Sequence, residues 1–438
     1  MNSGFLTDKL RPVKTATRMD NETYRIRVED LFRDLYDENG QENENVKAHL
    51  KQLALLPRKT RYFLRVLNDQ PVPVQIEFYR FVMKEVKGPD FYKDLERHIR
   101  HRFYEARDEI KQVLAGLNDP DAVEALMHVI ALTEEGWLAG ELIRIVLAHD
   151  PEVVREPVRK ALESGNYLLQ CLGIYLAGKS KSDPLLEELS RFYRKPFGEK
   201  VDRLERKSYD ALLEGSEGAS DGLLLRWLRD PSARVREVGV IAVARRRLKA
   251  AVDDLTRLVL VDGRTRARAA QTLVDFEAEG LLAYSPDDEA GRAIAGILAA
   301  AKQEPLMNLL RELAADESVP VREVALNLIR LVPDPSPLVG VLVRAAAEER
   351  VRSVQLAALR SLAAVDKERF FDAAAEVLSN VANLHEEVSA GLARLVEQTF
   401  TPEEQERLKE EAERRRRRRE EVLDKYAGTI ESWRHEIE

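Results

Sequence analysis

The residues best suited to chemistry in this chain are its histidines, because imidazole is a common metal ligand and general base. Seven are present: His49, His98, His101, His128, His149, His385 and His435. Only His98 and His101 lie at a helical spacing that brings two side chains together. Arg97, Arg100 and Arg102 lie beside them and would repel a metal cation. We therefore interpret the pair as partly exposed helix histidines.

Other signatures of catalysis or cofactor binding are missing from the sequence. The 21 glycines are scattered and form no glycine-rich loop between a strand and a helix, so nucleotide binding by a standard fold is not expected. No set of acid, base and nucleophile is spaced for a shared site. We predict no enzyme, no cofactor and no metal. Trp137 and the pair Glu134 and Glu135 would suit a groove, but we expect Trp137, which opens an apolar helix, to lie in the core.

A local reversal of charge is the feature that most suggests binding. Between Leu223 and Thr272 there are twelve basic and five acidic side chains, in a chain whose net charge is -8. Equivalent positions of a repeat array align on one surface, so these cations are expected to form a stripe. The candidates for partner binding are Arg226, Arg229, Arg245, Arg246, Arg247, Lys249, Arg264, Arg266 and Arg268.

The elements that position these cations are repeated helical hairpins. The segment beginning Asp230-Pro231 is echoed near Asp262, Asp316 and Glu348. Arg236, Arg266, Arg292, Arg322 and Arg352 can be set in register at steps of about 30 residues, a spacing typical of one helix-turn-helix unit. Small residues such as Gly239, Ala242 and Ala325 allow neighbouring helices to approach closely. We expect Arg236, Arg322 and Arg352 to form a structural ladder of ion pairs with the turn Asp or the next repeat.

This pattern resembles the HEAT-repeat family, in particular short bacterial phycobilisome-lyase-like repeats, whose turn is followed by Val-Arg and a small residue. The resemblance is sharp from about 221 to 362 and implies an all-α fold, a right-handed α-α superhelix. The composition of the last segment adds a C-terminal charged helix. A di-iron HEAT-repeat enzyme, deoxyhypusine hydroxylase, carries repeated His-Glu pairs, whereas this chain has only His385-Glu386 and His435-Glu436. A bilin-lyase-like activity stays a minor alternative.

The ends and boundaries of the array follow from composition. We expect a flexible arm over 1–20, divergent helical repeats over 21–214, the HEAT-repeat solenoid over 215–400 and a charged helix over 401–438. The arm contains Lys9, Arg11, Lys14 and Arg18, and a hinge, if present, is expected at 215–220. Glutamates flank Arg414 to Arg419, which favours a solvated, ion-paired helix or weak coiled coil over an electrostatic docking tail.

Composition and charge restrict the cellular compartment and the kinds of partner that are expected. The chain is 44% hydrophobic and contains one cysteine, Cys171, with no apparent secretory signal or membrane span, which favours the cytoplasm. We predict a non-catalytic scaffold or adaptor that binds a protein partner by means of an acidic segment or a helix of that partner. No membrane insertion is expected. A HEAT-like nucleic-acid binder, glycosylase-like or structural, is the alternative. It is disfavoured by the acidic chain and by the scarcity of aromatics near the basic segment.

Overall fold

The protein is described by a computed structural model over residues 19–36, 40–56, 58–196, 202–380 and 385–437, without the side chains of 202, 425 and 427–437. Over these ranges it consists of helices, with an isolated antiparallel bridge between Tyr36 and Glu42 and no strand. The predicted all-α helical-repeat fold is confirmed. The predicted arm residues Lys9, Arg11, Lys14 and Arg18 lie outside the described ranges.

The chain divides into two compact units, Met1–Ser220 and Asp221–Glu438, called unit 1 and unit 2 below. The helices of unit 1 are α1 (Asn21–Arg33), α2 (Glu44–Ala54), α3 (Thr60–Leu67), α4 (Val72–Glu85), α5 (Pro89–Glu105), α6 (Arg107–Ala115), α7 (Pro120–Leu132), α8 (Gly136–Ala148), α9 (Pro151–Glu163), α10 (Tyr167–Ser180), α11 (Asp183–Arg194) and α12 (Asp202–Gly215). Those of unit 2 are α13 (Asp221–Leu228), α14 (Ala233–Arg246), α15 (Val252–Val261), α16 (Arg266–Ala278), α17 (Glu289–Ala300), α18 (Gln303–Leu313), α19 (Val319–Ile329), α20 (Val339–Glu348), α21 (Arg352–Val365), α22 (Lys367–Ser379), α23 (Glu386–Thr399) and α24 (Pro402–Ile437).

Unit 2 is a stack of hairpins in which the second helices form a continuous row. α14 packs on α16, α16 on α19, α19 on α21, and α21 on α23. The first helices cover this row, since α13 pairs with α14, α15 with α16 and α20 with α21. Val235 and Val321 are fully buried between the layers. The core therefore grows by one interface per hairpin, as a repeat architecture requires.

The turns of the repeats are held by aspartates. Asp230 Oδ1 accepts a hydrogen bond from the amide of Ser232 at 2.9 Å, and Asp316 Oδ1 accepts one from Ser318 at 2.8 Å. In unit 1, Asp119 and Asp150 are N-caps that accept bonds from amides of the first turn, with proline as the first helical residue. These bonds satisfy amides that have no partner within a helix. Aspartates before the helices therefore stabilise the turns in both units.

Close approach of the helices in a hairpin requires Gly239 on α14. A Cβ placed there would lie 3.1 Å from the backbone nitrogen of Leu228 and 3.1 Å from Cβ of Trp227. Trp227 is almost fully buried and cannot easily move away. Ala242 and Ala325 are fully buried as well. The small residues of the repeat therefore set the distance between helices.

The predicted arginine ladder is present at Arg236 and Arg322. Each guanidinium donates to the carbonyls five and six residues before it, closing its own turn. Each also bonds a carboxylate of the next repeat, Asp262 at 2.7 Å and Glu349 at 3.0 Å respectively. Burial opposes ionisation of Asp262, but hydrogen bonds led by that from Arg236 lower its pKa to about 2.

Of two other members of the register, one pairs with the next hairpin and one does not. Arg352 bonds Glu387 of the next hairpin at 3.4 Å, which agrees with the predicted ladder. Arg266 donates instead to the carbonyl of Val259 at 2.9 Å. The reason is that Arg268, not Arg266, stands six residues after its turn aspartate, Asp262.

The charged helix α24 docks on α22 and α23. Leu408 and Ala412 are buried along its first half. Within the arginine run, Arg415 contacts Asp372 at 3.0 Å, while Arg416 and Arg417 pair with glutamates of their own helix. The predicted ion-paired helix is thus confirmed, and one side of it is fastened to the preceding hairpin.

Candidate partner-binding surface

Four of the predicted binding residues form a dense cluster where α14 ends. Arg245, Arg246, Arg247 and Lys249 fall within five residues, and all four are exposed. Arg247 is the C-cap residue and has a left-handed backbone, with φ 52°. A cation at this position is favoured by the partial negative charge of the helix C-terminus. We call these four residues the α14-end cluster.

Three members of the α14-end cluster bond carboxylates of neighbouring elements. Arg246 contacts Asp221 at 2.6 Å, Arg247 contacts Glu279 at 2.9 Å and Lys249 contacts Asp288 at 3.4 Å. Arg245 has no ion pair among the described residues. Asp221 begins α13 of the same hairpin, whereas Glu279 follows α16 and Asp288 precedes α17, so the last two pairs also link adjacent repeats.

The second group of predicted residues lies around the start of α16. Arg264 is exposed in the turn, without an ion pair among the described residues. Arg266 is turned back to the carbonyl of Val259, and Arg268 lies 3.9 Å from Glu237 of α14. We call Arg264, Arg266 and Arg268 the α16-start cluster.

The two clusters lie at opposite ends of the second helices. Arg236 at the start of α14 contacts Asp262 just before α16, whereas Arg247 after α14 contacts Glu279 after α16. The two helices therefore run in the same direction, start beside start and end beside end. Since α14 has 14 residues, its ends are separated by roughly 20 Å at 1.5 Å per residue. The structure thus places the nine predicted residues in separate groups instead of a single stripe.

The remaining two predicted residues belong to α13 and its end. Arg229 bonds the buried carboxylate of Asp254 on α15 at 2.8 Å. Arg226 is also engaged in an interaction. Because Arg229 satisfies a buried acid, its removal would cost stability. It is less available to a partner than Arg245 or Arg264.

Sequence reasoning missed a partly buried polar cluster inside unit 2. Glu277 of α16 accepts hydrogen bonds from Arg360 of α21 at 2.7 Å and from Asn327 of α19 at 3.0 Å. Arg330 lies over the ring of Tyr284, 5.6 Å from its centroid. Burial raises the pKa of Glu277, against the opposing charges of the two arginines. These contacts tie three successive second helices together.

The partners of that cluster are 50 and 83 residues away from Glu277. Their separation explains why no local motif reveals them. The sequence feature that could have revealed the cluster is a polar residue at a core-facing position of each second helix. The repeat pattern predicts an apolar residue at such a position.

The structure changes the interpretation of the histidine pair. His98 is buried, not partly exposed, and its Nε2 lies 2.5 Å from Oη of Tyr79. Burial lowers the pKa of His98 to about 3, so the ring is neutral near pH 7. His101 is exposed and lies 3.1 Å from Glu105. Within the described ranges no three His, Cys, Asp or Glu side chains converge as a metal site would require.

Trp137 is not a core residue, contrary to the prediction. Its side chain is 42% exposed at the start of α8, and its Nε1 donates to Glu135 at 2.6 Å. The exposed ring of Tyr104 packs against it with centroids 5.3 Å apart. Both aromatic residues are therefore available at the surface of unit 1.

No helix in the described part of the chain combines the length and apolarity needed to span a bilayer. No family model matches the sequence, and no curated protein matches it. The phycobilisome-lyase-like subtype therefore stays a prediction.

Solved structures of Kap121p are similar to this chain at low identity. Kap121p bound to RanGTP shares 13% identity with a TM-score of 0.33, covering 84% of this chain and 44% of that one. Kap121p bound to Pho4p shares 11% identity with a TM-score of 0.29 and the same two coverages, 84% and 44%. The karyopherin Kap121p bound to the extreme C-terminus of the protein phosphatase Cdc14p shares 11% identity with a TM-score of 0.30, covering 86% of this chain and 46% of that one. The chain spans less than half the length of these structures.

Proposed function

We propose that this protein is a non-catalytic scaffold that binds an acidic segment of a protein partner, with the α14-end cluster as its main electrostatic contact. The observation that carries the proposal is the density of exposed cations there, four within five residues on a fixed helix end. A helix end held by hydrogen bonds fixes the backbone that carries these cations, so no backbone entropy is lost there on binding.

The ion pairs of the α14-end cluster do not block such a contact. The side chains of the Arg247–Glu279 pair are 67% and 36% exposed, and those of the Arg246–Asp221 pair are 32% and 54% exposed. Exposed pairs contribute only about 0 to 1 kcal/mol. A carboxylate of the partner can replace an internal one at small cost. Arg245, which has no such pair among the described residues, needs no exchange.

Reversing charge at Arg245 and Arg247 tests the proposal. The variant R245E/R247E should bind its partner at least about tenfold more weakly, equivalent to roughly 1.4 kcal/mol, because two attractive contacts become repulsive. Binding is measured by affinity purification from native extract with and without nuclease and at two salt concentrations. Proteins retained by the wild type after nuclease treatment should be depleted from the variant.

The matched control is R264E/R268E, which makes the same change of charge at the α16-start cluster, about 20 Å away along the helices. It should retain partner proteins as the wild type does. Equal losses in both variants would mean that only net charge matters, and unchanged retention in R245E/R247E would remove the α14-end cluster from the site. Retention of nucleic acid that falls steeply with salt would favour the nucleic-acid alternative.

A further inference from the structure

A cationic pocket lies in unit 1. It has a volume of about 550 Å³ and is formed by α3, α5 and the residue that precedes α8. Its charged lining comprises Arg61, Arg65, Asp94, Arg97, Arg100 and Glu135. Four guanidinium groups therefore face two carboxylates, which leaves a net charge of +2 without the histidines.

The arginines of this pocket are only partly neutralised. Arg65 has no ion pair among the described residues. Arg97 is 3.7 Å from Asp94, too far for a strong bond, and its side chain is 67% exposed. Arg100 bonds Glu135 at 3.3 Å. Arg65 and Arg97 are thus the cations that a ligand can recruit without breaking a close pair.

The surroundings hold the pocket in a defined shape. The guanidinium of Arg61 lies against the ring of Tyr62, 4.6 Å from its centroid, and bonds Oη at 2.7 Å. His98 contributes a buried part of the lining and is fixed by Tyr79. These contacts hold Arg61 and His98 in place, so this part of the lining does not have to be ordered when a ligand binds.

An aromatic ledge borders the pocket. Glu135 accepts hydrogen bonds from Oη of Tyr104 at 3.1 Å and from Nε1 of Trp137 at 2.6 Å, so one carboxylate holds both rings. Tyr104 is 68% exposed. Trp, Tyr and Arg are the residue types enriched at the energetic centres of protein interfaces. A surface that combines all three around a cavity suits a peptide.

We propose that this pocket binds a phosphorylated side chain of a protein partner, with Arg65 and Arg97 on the phosphoryl group and the Tyr104–Trp137 ledge on a neighbouring apolar residue. The net charge of +2 matches a phosphoryl dianion, and guanidinium groups bind phosphate oxygens in a bidentate geometry. Clusters of arginine are a recurring means of recognising phosphorylated peptides. The inference rests on the proposed role as a partner-binding protein, but it uses a different surface.

The geometry favours a phosphopeptide over a nucleotide. Tyr104 and Trp137 are inclined at 63° and pack edge to face, so they form no parallel slot for a base. Their polar edges are also occupied by Glu135. A base would meet one ring at most, whereas an aliphatic or aromatic side chain can pack on the ledge from several directions.

The test uses the full chain and two immobilised pools of degenerate peptides, one with a fixed phosphothreonine and one dephosphorylated. The wild type should be retained by the phosphorylated pool at least about tenfold better than by the other, the difference expected from a charge-assisted bidentate contact. R65A/R97A should lose that preference. W137A should weaken retention while keeping the preference for phosphate.

A control removes two cations from unit 1 without touching the pocket. R33A/K93A changes exposed residues of α1 and α5 and should bind as the wild type does. Equal retention by the two pools would overturn the proposal, as would a R65A/R97A variant that keeps the preference. Displacement by AMP at lower concentration than by phosphothreonine would overturn the choice of a peptide. None of these results depends on the α14-end cluster, so the two proposals fail separately.

Discussion

Replacing Gly291 with alanine should destabilise unit 2 by about 3 kcal/mol, the upper range for inserting a methyl group into a closely packed site. Gly291 lies in the first turn of α17, where its Cβ would fall on the carbonyl oxygen of Ser285 and lie 2.7 Å from that of Ala283. Both obstacles are backbone atoms. The amide of Gly291 also bonds Asp288 Oδ2 at 3.1 Å, so the helix cannot shift without losing its cap.

The same helix supplies the control. Gly296 is exposed and a Cβ there would meet nothing within 4 Å. Gly296→Ala should therefore stabilise α17 by about 1 kcal/mol, because alanine has the higher helix propensity. Amide hydrogen exchange of the full chain should show faster exchange across α17 in G291A and slower exchange in G296A. Equal protection in the two variants would contradict the packing argument.

The features that the sequence predicted well are those determined within one hairpin. An aspartate before a helix finds amides two residues away, and Arg236 finds carbonyls five and six residues back, whatever the rest of the fold does. Gly239 could be assigned to a close approach because its position recurs in the repeat. Local chemistry repeated at a fixed period is therefore readable without a structure.

The features that it predicted poorly depend on neighbours distant in sequence. His98 is buried and contacts Tyr79 on α4, whereas Trp137 stays exposed although Phe103 and Tyr104 of α5 pack against its ring. The predicted arginines do not form one stripe because of the direction in which the second helices run. One group ends a second helix and the other begins the next, and parallel helices place those two positions at opposite ends.

Replacing Arg360 with leucine should destabilise unit 2 by about 2 kcal/mol, below the range for breaking a fully buried ion pair, because the Arg360 side chain is 33% exposed. The side chain of Glu277 is only 15% exposed, and it would lose the guanidinium that contacts it at 2.7 Å. Asn327 would remain as its hydrogen-bond donor. One such bond does not offset the free-energy cost of removing a carboxylate from water. Arg344→Leu, at an exposed position of α20, should change stability by no more than about 0.5 kcal/mol.

The pH dependence distinguishes a lost ion pair from lost packing. Burial already raises the pKa of Glu277 in the folded protein, and removing Arg360 removes a charge that opposes this rise. The folded variant then binds a proton more tightly than the unfolded chain, so its stability increases as pH falls and is lost as pH rises through the raised pKa. The deficit of R360L in urea unfolding should therefore be smaller at about pH 5 than at about pH 7, and adding Glu277→Gln should remove this pH dependence. A deficit that is the same at both pH values would show that Arg360 acts through packing alone.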